Sequence, residues 1–265
     1  MKLEQLAINA VSTKQDNMVT ALKAYSSAGF KNVEWRWPIV KEWLAGGKSL
    51  ADVKKAHDDH GLKCIGGFET TITAFGDDNA KKENWSIHQR NAEILASLGG
   101  GTIVMGTDGP ADTKYTLDHV ATIGKAAAQL AESIDKSVSI AIEFNWSPVV
   151  KSLRSCKALA DAANHPRVGI LFDPAHFYCT TSKFADLTDA TCRKILHVHV
   201  DDMNGKPGEL SNCNSARALP GKGVMDLKAI FGQIEKSGYK GYFSIEMFSD
   251  ELWGMPAADA AQKMY

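Results

Sequence analysis

The chain has 265 residues, of which 44% are hydrophobic and 23% charged, which is ordinary for a globular protein with a sizeable core. Its formal net charge of −1 excludes the strongly basic surface that attracts nucleic acids or anionic membranes, so we expect neither partner. The five cysteines are never spaced as CxxC, and the chain shows neither a signal-peptide pattern nor an apolar run of about 18 residues, so we expect a cytoplasmic protein with reduced thiols.

Short apolar segments alternate with longer amphipathic stretches along the chain. In chain order, the predicted strands cover residues 3–10, 32–37, 63–67, 102–106, 138–144, 168–173, 194–200 and 242–246. Helical patterns such as 17–30 and 115–134 lie between them, and several end at a glycine, the usual helix stop. This alternation indicates a parallel sheet built from βα repeats of about 33 residues. Because no linker-like segment interrupts it, we predict one domain over residues 1–265.

Side-chain alternation within the strands separates a closed barrel from an open sheet. In "SIAIEF" (139–144) bulky residues alternate with Ser, Ala and Glu, and in "LHVHV" (196–200) valines alternate with histidines. Helices cover both faces of an open doubly wound sheet, so both faces of its strands should be apolar. A small or polar face is expected where that face points into a barrel. We therefore predict an α/β fold, a (β/α)8 TIM barrel. A flavodoxin-like sheet is the alternative, without a GxGxxG or Walker-type loop to support it.

Polar side chains end four consecutive predicted strands on the inward face. They are Glu143, Asp173, His199 and Glu246. Functional groups of a (β/α)8 barrel lie at this end of the strands. Three carboxylates packed together repel one another, and one divalent cation would remove the repulsion. Because the donors are oxygen and nitrogen without a thiolate, Mn²⁺, Mg²⁺, Co²⁺, Fe²⁺ and Zn²⁺ all remain candidates.

A structural role is the alternative for each of these residues, since a lone strand-end acid is often a buried ion-pair partner. Four of them at one level of neighbouring strands favour a metal site. His197 points the same way as His199 but one layer deeper, so we expect it to be a satisfied core histidine or a support for the site, rather than to bind the cation.

Six stretches of the chain carry a family resemblance. They are "VEWR", "IAIEFN", "GILFDPAHF", "HVHVDD", "ARALPGKGVMDL" and "GYFSIEMFSDELW". In order and spacing they resemble the xylose-isomerase-like TIM-barrel superfamily of sugar isomerases and epimerases, and within it the inosose isomerase group. The resemblance is strongest over residues 138–253 and thin before residue 100.

The resemblance implies that the four strand-end residues bind the metal, and that Glu143 and Glu246 also transfer protons on opposite sides of the substrate. It further implies that His176 and Arg217 contact substrate oxygens. The alternatives are that His176 only supports the ligands and that Arg217 only anchors its own loop. Arg36, between two tryptophans at the end of the second strand, is a further candidate for substrate binding.

The expected activity is isomerisation or epimerisation of an unphosphorylated keto sugar or keto-inositol, by proton removal next to the carbonyl through an enediolate. A lyase of the inosose or dehydroshikimate dehydratase type is the close alternative, since the same enediolate can expel a β-hydroxyl. An abasic-site nuclease of the endonuclease IV type needs extra histidines where this chain reads "EWRWP", "GGFET" and "VMGTDGP", so it is disfavoured. A sugar-binding protein without activity, and association into a homo-oligomer, stay open.

Overall fold

A computed structural model describes residues 2–14, 17–111 and 116–265. The strands in these residues are β1 (Leu6–Asn9), β2 (Asn32–Arg36), β3 (Lys63–Phe68), β4 (Gly101–Met105), β5 (Val138–Glu143), β6 (Val168–Phe172), β7 (Ile195–Val200), β8 (Asp202–Met203), β9 (Arg217–Ala218) and β10 (Phe243–Ile245). Eight of them close into a parallel barrel in the order β1-β10-β7-β6-β5-β4-β3-β2, while β8 and β9 form a separate antiparallel pair. The predicted (β/α)8 barrel is confirmed.

The helices surround this barrel. They are α1 (Met18–Ala28), α2 (Trp37–Ala45), α3 (Leu50–His60), α4 (Asp78–Ser97), α5 (Leu117–Glu132), α6 (Leu153–Ala163), α7 (Pro174–Tyr178), α8 (Asp189–Cys192), α9 (Leu227–Lys236), α10 (Asp250–Trp253) and α11 (Ala257–Met264). The helix predicted over 115–134 corresponds to α5, and residue 115 itself lies outside the described residues. None of the helices described is both long and apolar enough to cross a bilayer.

Local signals in the sequence fix the ends of these helices. At α3 the Ser49 side chain accepts the backbone N–H of Asp52, and the Asp52 carboxylate accepts the N–H of Ser49 in return. This reciprocal pair satisfies two backbone donors that the first helical turn leaves free. The helix ends at Gly61, whose φ of 62° lies in the left-handed region that a side chain disfavours.

The first strand begins later than its hydrophobic pattern predicts. Leu3–Gln5 form a turn of 3-10 helix, and the strand starts only at Leu6. The cause is the side chain of Gln5, which accepts the backbone N–H of Lys2 and donates to the carbonyl of Gly241, at 3.0 and 2.8 Å. Side-chain hydrogen bonds of this kind compete with the strand ladder for the backbone.

The two faces of the strands pack in separate layers. The outward Ile140 and Ile142 belong to the large core between barrel and helices. The inward Ala141 packs with Val104 and Leu171 in a small apolar cluster inside the barrel. This division is the predicted alternation of bulky outward and small or polar inward side chains. It leaves the carboxyl end of the barrel lumen to polar residues.

Candidate active site

Four inward side chains converge at the carboxyl end of the barrel. Glu143 ends β5, Asp173 follows β6, His199 lies near the end of β7 and Glu246 follows β10. All four are buried, and each offers a ligand atom such that these atoms lie within 4.8 Å of one another. The structure therefore brings together the four residues that the strand pattern singles out.

The imidazole of His199 stands between the carboxylates. Its Nδ1 lies 3.2 Å from Glu246 Oε2, 3.3 Å from Asp173 Oδ2 and 3.7 Å from Glu143 Oε1. Oε1 of Glu143 is buried and has no hydrogen-bond partner among the described residues. An acceptor oxygen in this situation loses free energy unless a cation or a proton compensates it.

Burial and the charges of the cluster raise the pKa of two of its members. Burial raises the pKa of Glu143 well above its ordinary value, and the like charges of Glu246 and Asp173 add to this. Burial alone would lower the pKa of His199, but nearby carboxylates, first that of Glu246, raise it well above its usual value. Protons are thus held where a cation would otherwise balance the charge. Three carboxylates and one imidazole in this arrangement fit a divalent cation of the Mn²⁺ to Zn²⁺ range.

The two carboxylate oxygens of Asp173 have different partners. Its Oδ1 accepts the backbone N–H of His176 at 2.9 Å and so caps α7, while Oδ2 faces His199 and Arg217. Burial would raise the pKa of Asp173, but the charge of Arg217, followed by those of His176 and His199, holds it far below its usual range. The carboxylate is therefore charged and fixed in place.

Arg217 lies buried beside the cluster. Its Nη1 is 2.5 Å from Asp201 Oδ2 and 3.1 Å from Glu246 Oε2, and its Nη2 is 3.1 Å from Asp173 Oδ2. The guanidinium also stacks on Phe248, 5.0 Å from the ring centroid. Arg217 thereby offsets part of the negative charge while it leaves Glu143 without a guanidinium contact in these ion pairs.

Two residues that the sequence patterns did not assign to the site contact members of the four-residue cluster from below. Nδ2 of Asn9 donates to Glu246 Oε1 at 3.0 Å. The carboxylate of Glu34 lies 2.9 Å from Nε2 of His197 and 3.2 Å from Nε2 of His199. His197 thus lies one layer deeper and contacts Glu34, an arrangement that fits either of the two roles expected for it. Glu34 and Asn9 could have been found by the inward parity of their strands, since Asn9 and Glu34 are register partners.

The Asp–Asp pair in "HVHVDD" joins the site to its flanking loop. Asp201 contacts Arg217, as described above. Asp202 accepts four backbone N–H groups at 2.8 to 3.2 Å, namely those of Met203, Gly221, Gly223 and Met225. The carboxylate of Asp202 therefore accepts backbone N–H groups that would otherwise need a carbonyl partner in the glycine-rich turn. It thereby fixes the segment that carries Arg217.

A cavity of about 310 Å³ opens above the cluster. Glu143, His199 and Glu246 form its polar floor. Its walls include Phe68, Val104, Asn145, Trp146, His176, Cys213, Asn214 and Phe248. Asn145 has a φ of 72°, a conformation that costs a non-glycine residue free energy and is frequent at functional sites.

The remaining predicted contacts differ in their position. His176 lines the cavity, with Nε2 3.6 Å from Glu143 Oε1 and a buried Nδ1 without a described partner. Burial lowers the pKa of His176, so its imidazole is neutral more readily than an exposed one. Arg217 contacts Asp173 and Glu246 and is not among the residues that line the cavity. Arg36 is exposed at the end of β2 and is not among the residues that line the cavity.

Comparison with known proteins places these features in context. A family model described as "Xylose isomerase-like TIM barrel" matches residues 22–265. An inosose isomerase of Bacillus velezensis is 30% identical over 264 residues, which cover 96% of this chain and 92% of that relative. The match to an inosose isomerase of Bacillus subtilis, 30% identical over 128 residues, spans 47% of this chain and 45% of the relative. The crystal structure of an IOLI protein with a binding zinc atom superposes with a TM-score of 0.85 at 22% identity, covering 98% of this chain and 95% of the other.

Proposed function

Because the chain belongs to the xylose isomerase-like TIM barrel family, we propose that it is a divalent-metal-dependent isomerase or epimerase of a keto sugar or keto-inositol. The observation that carries this proposal is the convergence of Glu143, Asp173, His199 and Glu246 on the floor of the cavity. Two of these ligands are glutamates that also face the space where a substrate would lie. A site with both a cation-binding set and two such carboxylates suits proton removal next to a carbonyl.

A divalent cation held by the four side chains would polarise the substrate carbonyl and stabilise negative charge on its oxygen. Glu143 ends β5 and Glu246 follows β10, and β6 and β7 lie between these two strands in the barrel. One of them removes the proton from the carbon next to the carbonyl, and the other returns a proton to the opposite face or to the neighbouring carbon. Asn9 restricts Glu246 by its hydrogen bond to Oε1.

The walls of the cavity favour a neutral polyhydroxylated ketone. The rings of Phe68 and Trp146 meet edge to face, with centroids 6.3 Å apart, and provide an apolar surface for the C–H face of a sugar. The amides of Asn145 and Asn214 provide donors and acceptors for hydroxyl groups. Among the described lining residues none is Lys or Arg, which favours an unphosphorylated substrate without a carboxylate.

His176 is the wall residue that we propose for a substrate hydroxyl, since its Nδ1 is buried without a described partner. The predicted substrate contacts of Arg217 and Arg36 stay predictions, and so do a cytoplasmic location, a homo-oligomer and the lack of a nucleic-acid partner. Gel filtration with light scattering measures the oligomeric state directly.

Proton NMR in D₂O tests the activity. The metal-loaded protein is incubated with 2-keto-myo-inositol and, in parallel, with neutral ketohexoses. We expect deuterium at the carbon next to the carbonyl, a rearranged or epimerised product and no loss of water. Formation of a dione with loss of water supports the lyase instead, and absence of exchange with every ketone supports a binding protein.

Two controls accompany this experiment. Protein treated with EDTA reports exchange that does not depend on the metal. Glu246→Gln keeps the size of the side chain and removes its ability to transfer a proton, so exchange that persists in this variant excludes Glu246 from the reaction.

A further inference from the structure

Glu34 lies inside the barrel directly beneath the four-residue cluster. Its carboxylate reaches from β2 across the lumen to His197 and His199 on β7, and the strands β1 and β10 separate β2 from β7 in the barrel. The side chains of Glu34, His197 and His199 are 0%, 2% and 1% exposed, so water does not compete for these hydrogen bonds.

The chemistry of a carboxylate fixes the direction of both hydrogen bonds. A charged carboxylate only accepts, so Nε2 of His197 and Nε2 of His199 must each donate to Glu34. The two imidazole nitrogens at 2.9 and 3.2 Å supply the hydrogen-bond donors that a buried charged carboxylate needs. A neutral imidazole has one N–H, and the proton on Nε2 leaves the lone pair on Nδ1.

Once His199 has lost its second proton, as metal binding requires, that lone pair faces the metal-binding set, because Nδ1 is the atom that lies 3.2 to 3.7 Å from Glu246, Asp173 and Glu143. With the proton on Nδ1 instead, His199 would point a donor at the cation, and Nε2 would face a carboxylate oxygen with no hydrogen between them. A buried polar pair left unsatisfied in this way costs about 1–3 kcal/mol.

We propose that Glu34 is a positioning residue, which holds His199 in the Nε2-protonated form and so presents Nδ1 to the divalent cation. The hydrogen bond from His197 goes to the second carboxylate oxygen of Glu34. It restrains the orientation of the carboxylate and so keeps the first oxygen in position to accept from His199. This proposal rests on the metal site of the proposed function and is independent of which ketone is the substrate.

Glu34, His197 and His199 also satisfy the distance requirement for a metal site of their own. Their contacts favour the hydrogen-bonded arrangement. A cation among Glu34, His197 and His199 would need the Nε2 lone pair of His199, while a cation in the four-residue cluster needs the Nδ1 lone pair of the same ring. The number of metal ions bound per chain distinguishes the two arrangements.

Metal affinity measured by titration calorimetry tests the proposal without any reference to activity. Glu34→Gln keeps the shape of the side chain but offers one acceptor oxygen, so it satisfies one of the two imidazole donors. We expect Zn²⁺ to bind the unaltered protein at one ion per chain, and to bind Glu34→Gln 10- to 100-fold more weakly, about the loss seen when such outer partners are removed.

Glu69→Gln is the matched control. Glu69 follows β3 and accepts from Lys41 Nζ at 2.5 Å and from Asn91 at 3.0 Å, so the same chemical change disrupts a comparable pair of contacts away from the cluster. We expect its Zn²⁺ affinity to stay within about twofold of the unaltered protein, since no ligand depends on Glu69 for orientation.

Nitrogen-15 NMR of the histidine rings in the Zn²⁺-loaded protein provides the second readout, and it needs no variant. We expect His199 to carry its proton on Nε2 and to coordinate through Nδ1. A proton on Nδ1 overturns the proposal even if Glu34→Gln does not fold.

Two calorimetric results also overturn it: an unchanged affinity in Glu34→Gln, and binding of two ions per chain of which Glu34→Gln loses one. If the unaltered protein binds no divalent ion, the proposed function fails together with this inference. An unchanged affinity in the variant refutes the inference alone.

Discussion

Replacing Arg217 by methionine removes a guanidinium that contacts three buried carboxylates. Asp201 lies 2.5 Å from it, and Asp173 and Glu246 lie 3.1 Å from it. The side chains of Arg217, Asp173 and Asp201 are 0% exposed, so water cannot replace the lost contacts. Methionine keeps much of the aliphatic part of the side chain but loses the guanidinium that lies over Phe248, so the change acts mainly through the lost charge.

Loss of one partner of a buried ion pair costs about 3–5 kcal/mol, because the remaining charge is left uncompensated. For a domain of this size each kcal/mol lowers the melting temperature by about 2–4 °C. We therefore expect metal-free Arg217→Met to melt about 6–20 °C below the unaltered protein. A bound divalent ion restores positive charge next to Asp173 and Glu246, so saturating Zn²⁺ should recover more stability in Arg217→Met than in the unaltered protein.

Scanning calorimetry in EDTA, and again with saturating Zn²⁺, measures both effects. Arg154→Met is the control, because Arg154 is 63% exposed and lies 3.9 Å from its acidic neighbour Asp186. An exposed pair of this kind contributes about 0–1 kcal/mol. If Arg217→Met melts within about 2 °C of Arg154→Met, the buried carboxylates do not depend on the guanidinium and this account of the site is wrong.

Three further outcomes follow from the same geometry. Glu246→Gln should lower kcat at least about 100-fold while circular dichroism stays unchanged, because the amide cannot transfer the proton; a rate close to that of the unaltered enzyme contradicts this. The pKa of Glu143 and that of His199 are both raised, so both groups must lose protons to bind a metal, and Zn²⁺ affinity should fall as the pH falls. Calorimetry in two buffers of different ionisation enthalpy measures the protons released, and release of none contradicts the assignment. Asp202→Asn should cost about 1–3 kcal/mol and speed hydrogen exchange at Gly221 and Gly223, since a single amide oxygen cannot serve all four N–H donors.

Much of the fold could be predicted because one pattern specifies it repeatedly. Strand-sized apolar segments occur eight times, each coincides with a barrel strand, and several of them carry a small or polar inward face. The pattern fails at residues 3–5, where Gln5 uses its side chain to bond Gly241, far away in the sequence. No local pattern reports a contact of that kind.

The same distinction between local patterns and distant contacts applies to the site. The four-residue cluster could be predicted from strand parity together with the rule that functional groups lie at the carboxyl ends of barrel strands, since Glu143 and His199 sit on inward positions at the ends of their strands. The contact of Arg217 with Asp201 could not, because it depends on how β9 folds back onto the residues that follow β7. Arg36 shows a further limit: it shares the inward parity of Glu34 but lies at the barrel mouth, where a side chain reaches solvent.

The register of the barrel strands determines both how the barrel packs and which side chains point into the site. In the pairing of β10 with β7, Ser244 lies opposite His199, and in the pairing of β1 with β2, Asn9 lies opposite Glu34. A slip of one residue between β7 and its neighbours would turn both histidines toward the helices and the valines between them into the lumen. Such a slip would place buried imidazoles in the apolar layer and remove the partners of Glu34 together. The burial that drives barrel closure therefore also directs the inward polar side chains into the lumen, so the contact of Glu34 with His199 does not require a separate folding signal.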